Sequence, residues 1–334
     1  MNLLEKVDTT KPYFFVSYAS VDEVQVFSDV RKLQNEGINI WIDTELNRYA
    51  GKSWKSVVKN AIRNGNCKAV LLFVSKFALI SKAVKYELDL TISSDVKGTH
   101  FGKKVPVIPI EVTPISDITE YCYQIANEYS MSNIEADIMD EDDEENYRPS
   151  QNVNHIREHF FENNDRRYER LYDMDDRKPF MDGLKKYGVL PNPIHTNITI
   201  DRAMADKAFE KAKKLYQEGN SKEAHDYFVL SAFGGLSKAY IWLGMLCTKR
   251  NDVSTTTDLL QAESCWIRAD DLGNLEAPYF LAGLYYNRRE EDNGQMARKQ
   301  IEKIKEMERH GRRTKDERAR EKYLQACRGL HLTE

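Results

Sequence analysis

The chain lacks an excess of charge of either sign. Its 49 lysines and arginines are nearly balanced by 53 aspartates and glutamates, which gives a formal net charge of −4. No overall basic field is present to hold a nucleic acid or an anionic membrane, and we expect neither as a partner. The composition, with 41% hydrophobic and 31% charged residues, is typical of a soluble globular protein.

The sequence also lacks membrane-spanning and secretory signals. Its most apolar run, Ala69 to Ile80, is 12 residues long, whereas a spanning helix needs about 18. Near the start, Glu5 and Asp8 stand where a signal peptide needs an apolar core. The five cysteines are scattered, with neither zinc-site nor redox-pair spacing. We therefore predict a cytoplasmic protein with reduced thiols and no bound metal.

What the sequence does contain, from Pro12 onward, is an alternation of short apolar runs with longer amphipathic ones. The apolar runs predict buried strands over residues 13–17, 38–42, 69–74 and 105–110. Between them, helices are predicted from Ser20 to Gly37 and over residues 51–63 and 82–93. Ser20 and Glu23 have the spacing of a capping box at the first helix. This alternation predicts an α/β domain with a doubly wound parallel sheet.

The chain divides into three predicted regions: the α/β domain in residues 1–115, a charged helical and linker region in 116–200, and an all-α region in 201–334. In the last region, residues 38 positions apart are often alike, as Ala224 is to Ala262 and Gly235 to Gly273. Such a period predicts stacked helical hairpins. The region resembles tetratricopeptide repeats of the Sel-like kind, which implies that it binds a protein partner.

Ligands of a doubly wound sheet bind beyond the carboxyl ends of its strands. Residues there include Ser17, Tyr18 and Ala19 after the first strand, Asp43 and Glu45 after the second, and Ser75 after the third. This set excludes a response-regulator phosphoacceptor, which needs carboxylates after the first and third strands. The first turn contains no glycine, which excludes a Rossmann dinucleotide site. His100 is the domain's only histidine, and no Ser/His/Asp or Cys/His arrangement stands out.

Glu87, on the predicted helix after the third strand, is the remaining candidate for chemistry. An isolated glutamate on a helix is usually a solvated surface charge. The residues alone therefore leave both interpretations open.

Segments in order along the chain resemble the motifs of the Toll/interleukin-1 receptor (TIR) domain. Phe15 to Asp22 is similar to the first box, and Trp41 to Trp54 to the second box with its BB loop. Val74 to Leu88 is similar to the segment that holds the catalytic glutamate of enzymatic TIR domains. The resemblance covers about residues 12–115. It implies a flavodoxin-like fold and an enzyme that cleaves the nicotinamide–ribose bond of NAD+, in some members with cyclisation of the ADP-ribose.

The resemblance also implies roles for particular residues. Glu87 would be the catalytic carboxylate, and the residues lining the NAD+ site would be Ser17, Tyr18, Ala19 and Asp43, with Arg48 from the BB loop. NAD+ is the substrate, and no cofactor or metal is implied. One carboxylate is chemically sufficient, because nicotinamide is already a cationic leaving group and the barrier is an oxocarbenium-like ribosyl centre. Ala83 departs from the family, which commonly has tryptophan at this position.

A TIR domain joined to helical repeats resembles prokaryotic antiviral effectors. This layout implies NAD+ loss or nucleotide signalling in defence, self-association of TIR domains, and an unknown protein partner for the repeats. Two alternatives stay open. The first is a non-enzymatic scaffold that pairs through the BB loop, which Ala83 favours. The second is a nucleoside-processing transferase on a similar sheet.

Overall fold

The computed structural model describes residues 4, 6–43, 54–92, 105–129, 148–162, 171–174, 176–185, 187, 200–249, 256–288 and 293–332. The chain forms two compact units, Met1–Thr199 and Ile200–Glu334. Within the described ranges, no helix combines the length and the hydropathy needed to cross a bilayer.

The N-terminal unit is built on a four-stranded parallel sheet with the strand order β2-β1-β3-β4. The strands are β1 (Tyr13–Ser17), β2 (Ile40–Trp41), β3 (Cys67–Val74) and β4 (Val107–Glu111). Every residue of β1 is buried, as is typical of a strand covered on both faces. The predicted doubly wound parallel sheet is therefore confirmed. Its order reverses between β1 and β3, where Ser17 pairs with Leu72.

The α-helices described in this unit are α1 (Glu23–Asn35), α2 (Trp54–Ile62), α3 (Lys76–Ile80), α4 (Lys82–Ile92), α5 (Ile118–Glu128), α6 (Pro149–Ile156) and α7 (Arg177–Lys185). A 3-10 turn, Ser20–Asp22, precedes α1. The predicted capping box is wrong, because the Asp22 N–H donates to the Ala19 carbonyl at 2.9 Å and places Ser20 inside that turn. Ala19 is the N-cap of the turn, and no side chain caps it.

One face of the sheet packs against α1 and α7. Phe14 and Val16 of β1 share a core cluster with apolar side chains of β3, β4 and both helices. Successive strand residues point to opposite faces, so Tyr13 points away from this cluster. Its hydroxyl donates to the Ala61 carbonyl of α2 at 2.7 Å. Helices therefore pack on both sides of β1.

Residues 171–187 complete the core of the N-terminal unit, although they belong to the predicted linker region. The Tyr172 N–H donates to the Pro109 carbonyl at 3.0 Å, and the Glu111 N–H donates to the Tyr172 carbonyl at 2.9 Å. These bonds form an isolated parallel bridge on the outer edge of β4. The Tyr172 ring lies edge-on to Phe180 of α7, with 5.3 Å between the ring centroids. This charged segment is therefore tied to the sheet.

The C-terminal unit contains α8 (Arg202–Gln217), α9 (Ser221–Phe233), α10 (Ser237–Lys249), α11 (Thr256–Asp271), α12 (Ala277–Asn287), α13 (Asn293–Arg309) and α14 (Glu317–Gly329). The predicted all-α region is confirmed. Gly235, Gly273 and Gly311 have φ of 77°, 74° and 73° and recur every 38 residues. Glycine adopts this left-handed backbone without steric cost. The same turn thus recurs at the predicted period, and the repeat type stays a prediction.

Candidate active site

The candidate site begins at the carboxyl end of β1. Ser17 is its last residue and is fully buried. Tyr18 and Ala19 follow and lead into the 3-10 turn. Because β1 is central and lies beside the reversal of strand order, this end of β1 is where a doubly wound sheet opens a ligand crevice.

The second part of the site comes from the helices that follow β3. Ser75 directly follows β3 and caps α3, with its Oγ accepting from the Ala78 N–H at 3.0 Å. A turn later, the Ser81 Oγ accepts from the Val84 N–H at 3.3 Å, which starts α4. Val84, Glu87 and Leu88 are all buried along one face of this helix, as spacings of three and four residues require. This periodicity turns Glu87 towards the sheet.

Glu87 meets Ser17 across a separation of 70 residues. The Ser17 hydroxyl donates to Glu87 Oε2 at 2.5 Å. Glu87 is only 8% exposed, so the interpretation of Glu87 as a solvated surface charge is wrong. The residue that the sequence singles out for chemistry therefore lies at the carboxyl end of β1.

Electrostatics keep Glu87 neutral in the resting site. Burial raises the pKa of Glu87 to about 8; the Ser17 hydrogen bond opposes this shift, and the negative charge of Asp43 adds to it. Among the described residues, no lysine, arginine or histidine forms an ion pair with Glu87. A buried carboxyl with this environment ionises when a cation enters beside it.

Tyr18 connects the loops that follow β1 and β2. Its hydroxyl donates to the Asp43 carbonyl at 2.9 Å, and its ring lies edge-on to Phe27, with centroids 5.9 Å apart. Burial raises the pKa of Tyr18 well above its usual value, and the charges of Glu23, Asp43 and Glu87 add to the shift. Asp43 is thus close enough to act electrostatically on both Tyr18 and Glu87. Arg48, predicted to line the same site, lies outside the described residues.

An aromatic pair stands beside α4. The rings of Trp54 and Tyr86 are 5.6 Å apart between centroids and tilted by 44°. The Tyr86 hydroxyl donates to the Lys55 carbonyl at 3.3 Å, which fixes α4 to the start of α2. Ala83, where the family commonly has tryptophan, is partly buried one turn before Glu87. The aromatic surface beside α4 therefore comes from Trp54 and Tyr86.

One buried residue of this region was missed in the sequence. Asp22 is 2% exposed, and its Oδ2 accepts from the Ser75 hydroxyl at 2.5 Å. The sequence placed Ser75 at a strand end, but the 53 residues between the partners carry no signal of their pairing. Within the described parts of the chain, no group of three or more His, Cys, Asp or Glu side chains could hold a metal ion.

Comparison with protein families agrees with this geometry. Residues 14–145 match the family model of the TIR domain. The N-terminal unit therefore contains a TIR domain, as the sequence motifs predicted, and the matched range includes α5. No curated protein matches the chain, and no solved structure matches it.

Proposed function

We propose that the TIR domain is an NAD+ glycohydrolase in which Glu87 is the catalytic carboxylate. The observation that supports this most directly is a buried Glu87 bonded to Ser17 at the carboxyl end of β1, with no cationic partner among the described residues. An uncompensated buried carboxyl is costly, and such groups cluster at functional sites.

The proposed reaction breaks the bond between the nicotinamide nitrogen and C1′ of the ribose. The bonding electron pair leaves with nicotinamide, which becomes neutral, and an oxocarbenium-like ribosyl cation remains. The Glu87 carboxylate stabilises this cation. Attack of water at C1′ gives ADP-ribose and a proton, and attack by another group of the same molecule gives a cyclic product. Because the leaving group is already activated, no general acid is needed.

The raised pKa of Glu87, about 8, fits this reaction. With this pKa the Glu87 carboxyl is mostly protonated at neutral pH, so it is mostly uncharged before NAD+ binds. The positive pyridinium ring of NAD+ favours the ionised form, and its binding releases the proton to solvent. The Ser17 hydroxyl then donates to the carboxylate and orients it. In this proposal, Glu87 becomes negatively charged only when the pyridinium ring of NAD+ lies beside it.

The proposed substrate contacts are the loops around Glu87. Ser17, Tyr18, Ala19 and Asp43 line the site in the proposal, together with Arg48 from the BB loop. The Trp54–Tyr86 pair supplies an aromatic surface near α4. We further propose that the protein acts in the cytoplasm as a defence or signalling effector, that its TIR domains self-associate, and that the helical unit binds a protein partner.

The second candidate is a non-enzymatic scaffold that pairs with other TIR domains. Ala83 and the low exposure of Glu87, 8%, favour it, because an NAD+ site needs an accessible carboxylate and a surface for the bases. In this case the buried Glu87–Ser17 bond only joins α4 to β1.

Nicotinamide release from NAD+ by the full chain distinguishes the two functions. We expect Glu87→Gln to lower the rate on the order of 100-fold or more, because it removes the charge that stabilises the ribosyl cation. Asp89→Asn is the matched control: Asp89 lies on the same helix but is 34% exposed and paired with Lys85 and His155. It should retain activity within about threefold, as expected for a surface pair.

Equal rates for Glu87→Gln and wild type would contradict the proposed catalytic role. Absence of turnover across a protein concentration series, with self-association retained, would instead support the scaffold. Turnover of free nucleosides but not of NAD+ would indicate a nucleoside-processing enzyme.

A further inference from the structure

Two serines at the ends of adjacent strands form a crossed pair of hydrogen bonds. Ser17, which ends β1, donates to Glu87 on α4, an element that follows β3. Ser75, which follows β3, donates to Asp22, which follows β1. Both donor–acceptor distances are 2.5 Å. Each strand–helix unit thus holds a carboxylate of the other at the point where the strand order reverses.

The Asp22 side chain accepts from Ser75 and does not cap α1. Asp22 occupies the N-cap position of α1, where an aspartate commonly accepts from a backbone N–H of the first turn. Its side chain makes no such cap bond. The carboxylate is directed to Ser75, which is itself only 4% exposed and also caps α3. Asp22 therefore links the loop after β1 to the start of α3.

The two bonds hold the β1 loop at both of its ends. Ser17 fixes the beginning of the loop to α4, and Asp22 fixes its end to α3. Between them, the Asp22 N–H donates to the Ala19 carbonyl at 2.9 Å and tightens the chain into a single turn. Ser17 pairs with Leu72 at the end of the sheet, so release of Asp22 would free the short segment that directly follows Ser17, on the side of Ser17 where strand pairing no longer holds the chain.

We propose that Asp22 is a positioning residue for the proposed NAD+ cleavage: through Ser75, it holds the β1 loop so that Ser17 orients the carboxylate of Glu87. Asp22 does not touch the substrate in this proposal. The kinetic consequence rests on the proposed function, whereas the geometric consequence can be measured without turnover.

The kinetic test compares Asp22→Ala, Ser75→Ala and Asp22→Asn. We expect the first two to lose at least about tenfold in kcat with KM within about threefold, because a misplaced carboxylate weakens transition-state contacts more than substrate binding. Asp22→Asn should stay within about threefold of wild type, since its amide oxygen can still accept from Ser75. Rescue by asparagine separates the hydrogen bond from the charge.

Asp29→Ala is the matched control for loss of a buried aspartate. Asp29 is also 2% exposed and lies on α1, but it bonds to Gln25 and Lys32 of the same helix. It should lower stability without changing kcat. A loss of kcat in Asp29→Ala as large as that in Asp22→Ala would overturn the proposal.

The geometric test follows the titration of the Glu87 carboxyl by carbon-13 NMR, with the signal assigned from Glu87→Gln. In Asp22→Ala and Ser75→Ala we expect the pKa of Glu87 to fall by at least about 0.5 towards its ordinary value, because entry of water relieves burial, the largest cause of the raised pKa, and outweighs the opposite effect of a weaker Ser17 bond. Asp22→Asn and Asp29→Ala should match wild type. If wild type has no turnover across the protein concentration series, the proposed function fails and this titration still decides the positioning role.

An unchanged Glu87 titration in folded Asp22→Ala and Ser75→Ala would overturn the positioning role. Should Asp22→Ala fail to fold, Ser75→Ala decides: it removes one hydroxyl group, and with it the bond to Asp22 and the α3 cap bond from the Ala78 N–H.

Discussion

The two units of the chain each bury a glutamate, but the two glutamates differ in their hydrogen-bond partners and in their charge. Glu87 in the N-terminal unit is 8% exposed, and Glu263 on α11 in the C-terminal unit is 0% exposed. Glu263 accepts from the Tyr285 hydroxyl at 2.9 Å and from Arg288 Nη1 at 2.5 Å. Glu87 accepts from a serine. One buried charge is neutralised by a cation, and the other is held as a neutral acid.

Burial alone therefore does not distinguish a structural glutamate from a catalytic candidate, whereas the chemistry of the partner does. A carboxylate bonded to arginine and tyrosine has its charge compensated whether or not any ligand binds. A carboxyl bonded only to a hydroxyl is poised to gain its charge when a cation arrives. Four experiments test this contrast.

The largest expected effect is on the paired glutamate. Glu263→Gln leaves Arg288, whose side chain is 14% exposed, without its carboxylate. Removal of one partner from a buried ion pair costs about 3 to 5 kcal/mol. Hydrogen exchange of the α11 and α12 amides should speed up accordingly, while the β1 amides keep the wild-type rate. Unchanged exchange in α11 and α12 would show that Arg288 does not need Glu263.

The corresponding change at Glu87 should stabilise the protein. The pKa of Glu87 is raised from 4.5 to about 8 in the folded state, so the unfolded chain ionises first as pH rises. The contribution of Glu87 to stability is complete below pH 4.5 and is lost progressively towards pH 8. Glutamine lacks this loss. We expect Glu87→Gln to lie within about 1 kcal/mol of wild type near pH 5 and to exceed it by about 4 kcal/mol at pH 8.

Urea titrations at both pH values, followed by tryptophan fluorescence, measure this difference. A variant less stable than wild type at pH 8 would mean that Glu87 is ionised and well solvated in the folded protein, and that it does not differ from Glu263 in holding a charge.

The pH dependence of catalysis should report the same ionisation. If the ionised carboxylate is the active form, kcat/KM for NAD+ rises about tenfold per pH unit below a pKa of about 8 and levels off above it. Asp89→Asn should show the same profile, and the residual rate of Glu87→Gln should not depend on this ionisation. A wild-type profile that is flat or falling between about pH 6 and pH 9 would be inconsistent with a neutral resting acid.

The smallest expected effect is at Tyr18. Tyr18→Phe removes the hydroxyl that donates to the Asp43 carbonyl, and loss of one such bond costs about 1 kcal/mol. The ring still packs on Phe27, so the fold should persist. Thermal unfolding of the two proteins at one pH measures the change. A loss well above about 3 kcal/mol would indicate that Tyr18, rather than Glu87, organises the site.

Local patterns were sufficient to predict most of the sheet. The bounds of β1 agree with the apolar run, β3 begins two residues earlier than expected, at Cys67, and β2 is shorter, at Ile40–Trp41. A run of apolar residues shows where a buried strand lies, because a buried strand is surrounded by apolar side chains whatever the order of the strands in the sheet. Glu87 could be singled out only through its motif, since its burial depends on a partner 70 residues away.

The features that could not be predicted from the sequence are contacts between residues that lie far apart along the chain. The link between Ser75 and Asp22 needs the order of β1 and β3 and the exact entry of α1. The capping-box pattern even assigned the start of that helix to Ser20. For residues 171–187 the missing information is again the partner: their apolar side chains, such as Phe180, indicate a helical segment that packs on something, but not that Tyr172 joins the core beside β4.

The bridge from Tyr172 to β4 sets a practical limit on how the molecule can be divided. The family match ends at residue 145, yet a fragment cut there would lose Tyr172, Phe180 and Leu184 from the core and strip the outer edge of β4. Bare strand edges pair readily with other chains. Any isolated TIR domain should therefore extend through Tyr187. Association of a shorter fragment would report pairing of the exposed β4 edge instead of an assembly of the intact protein.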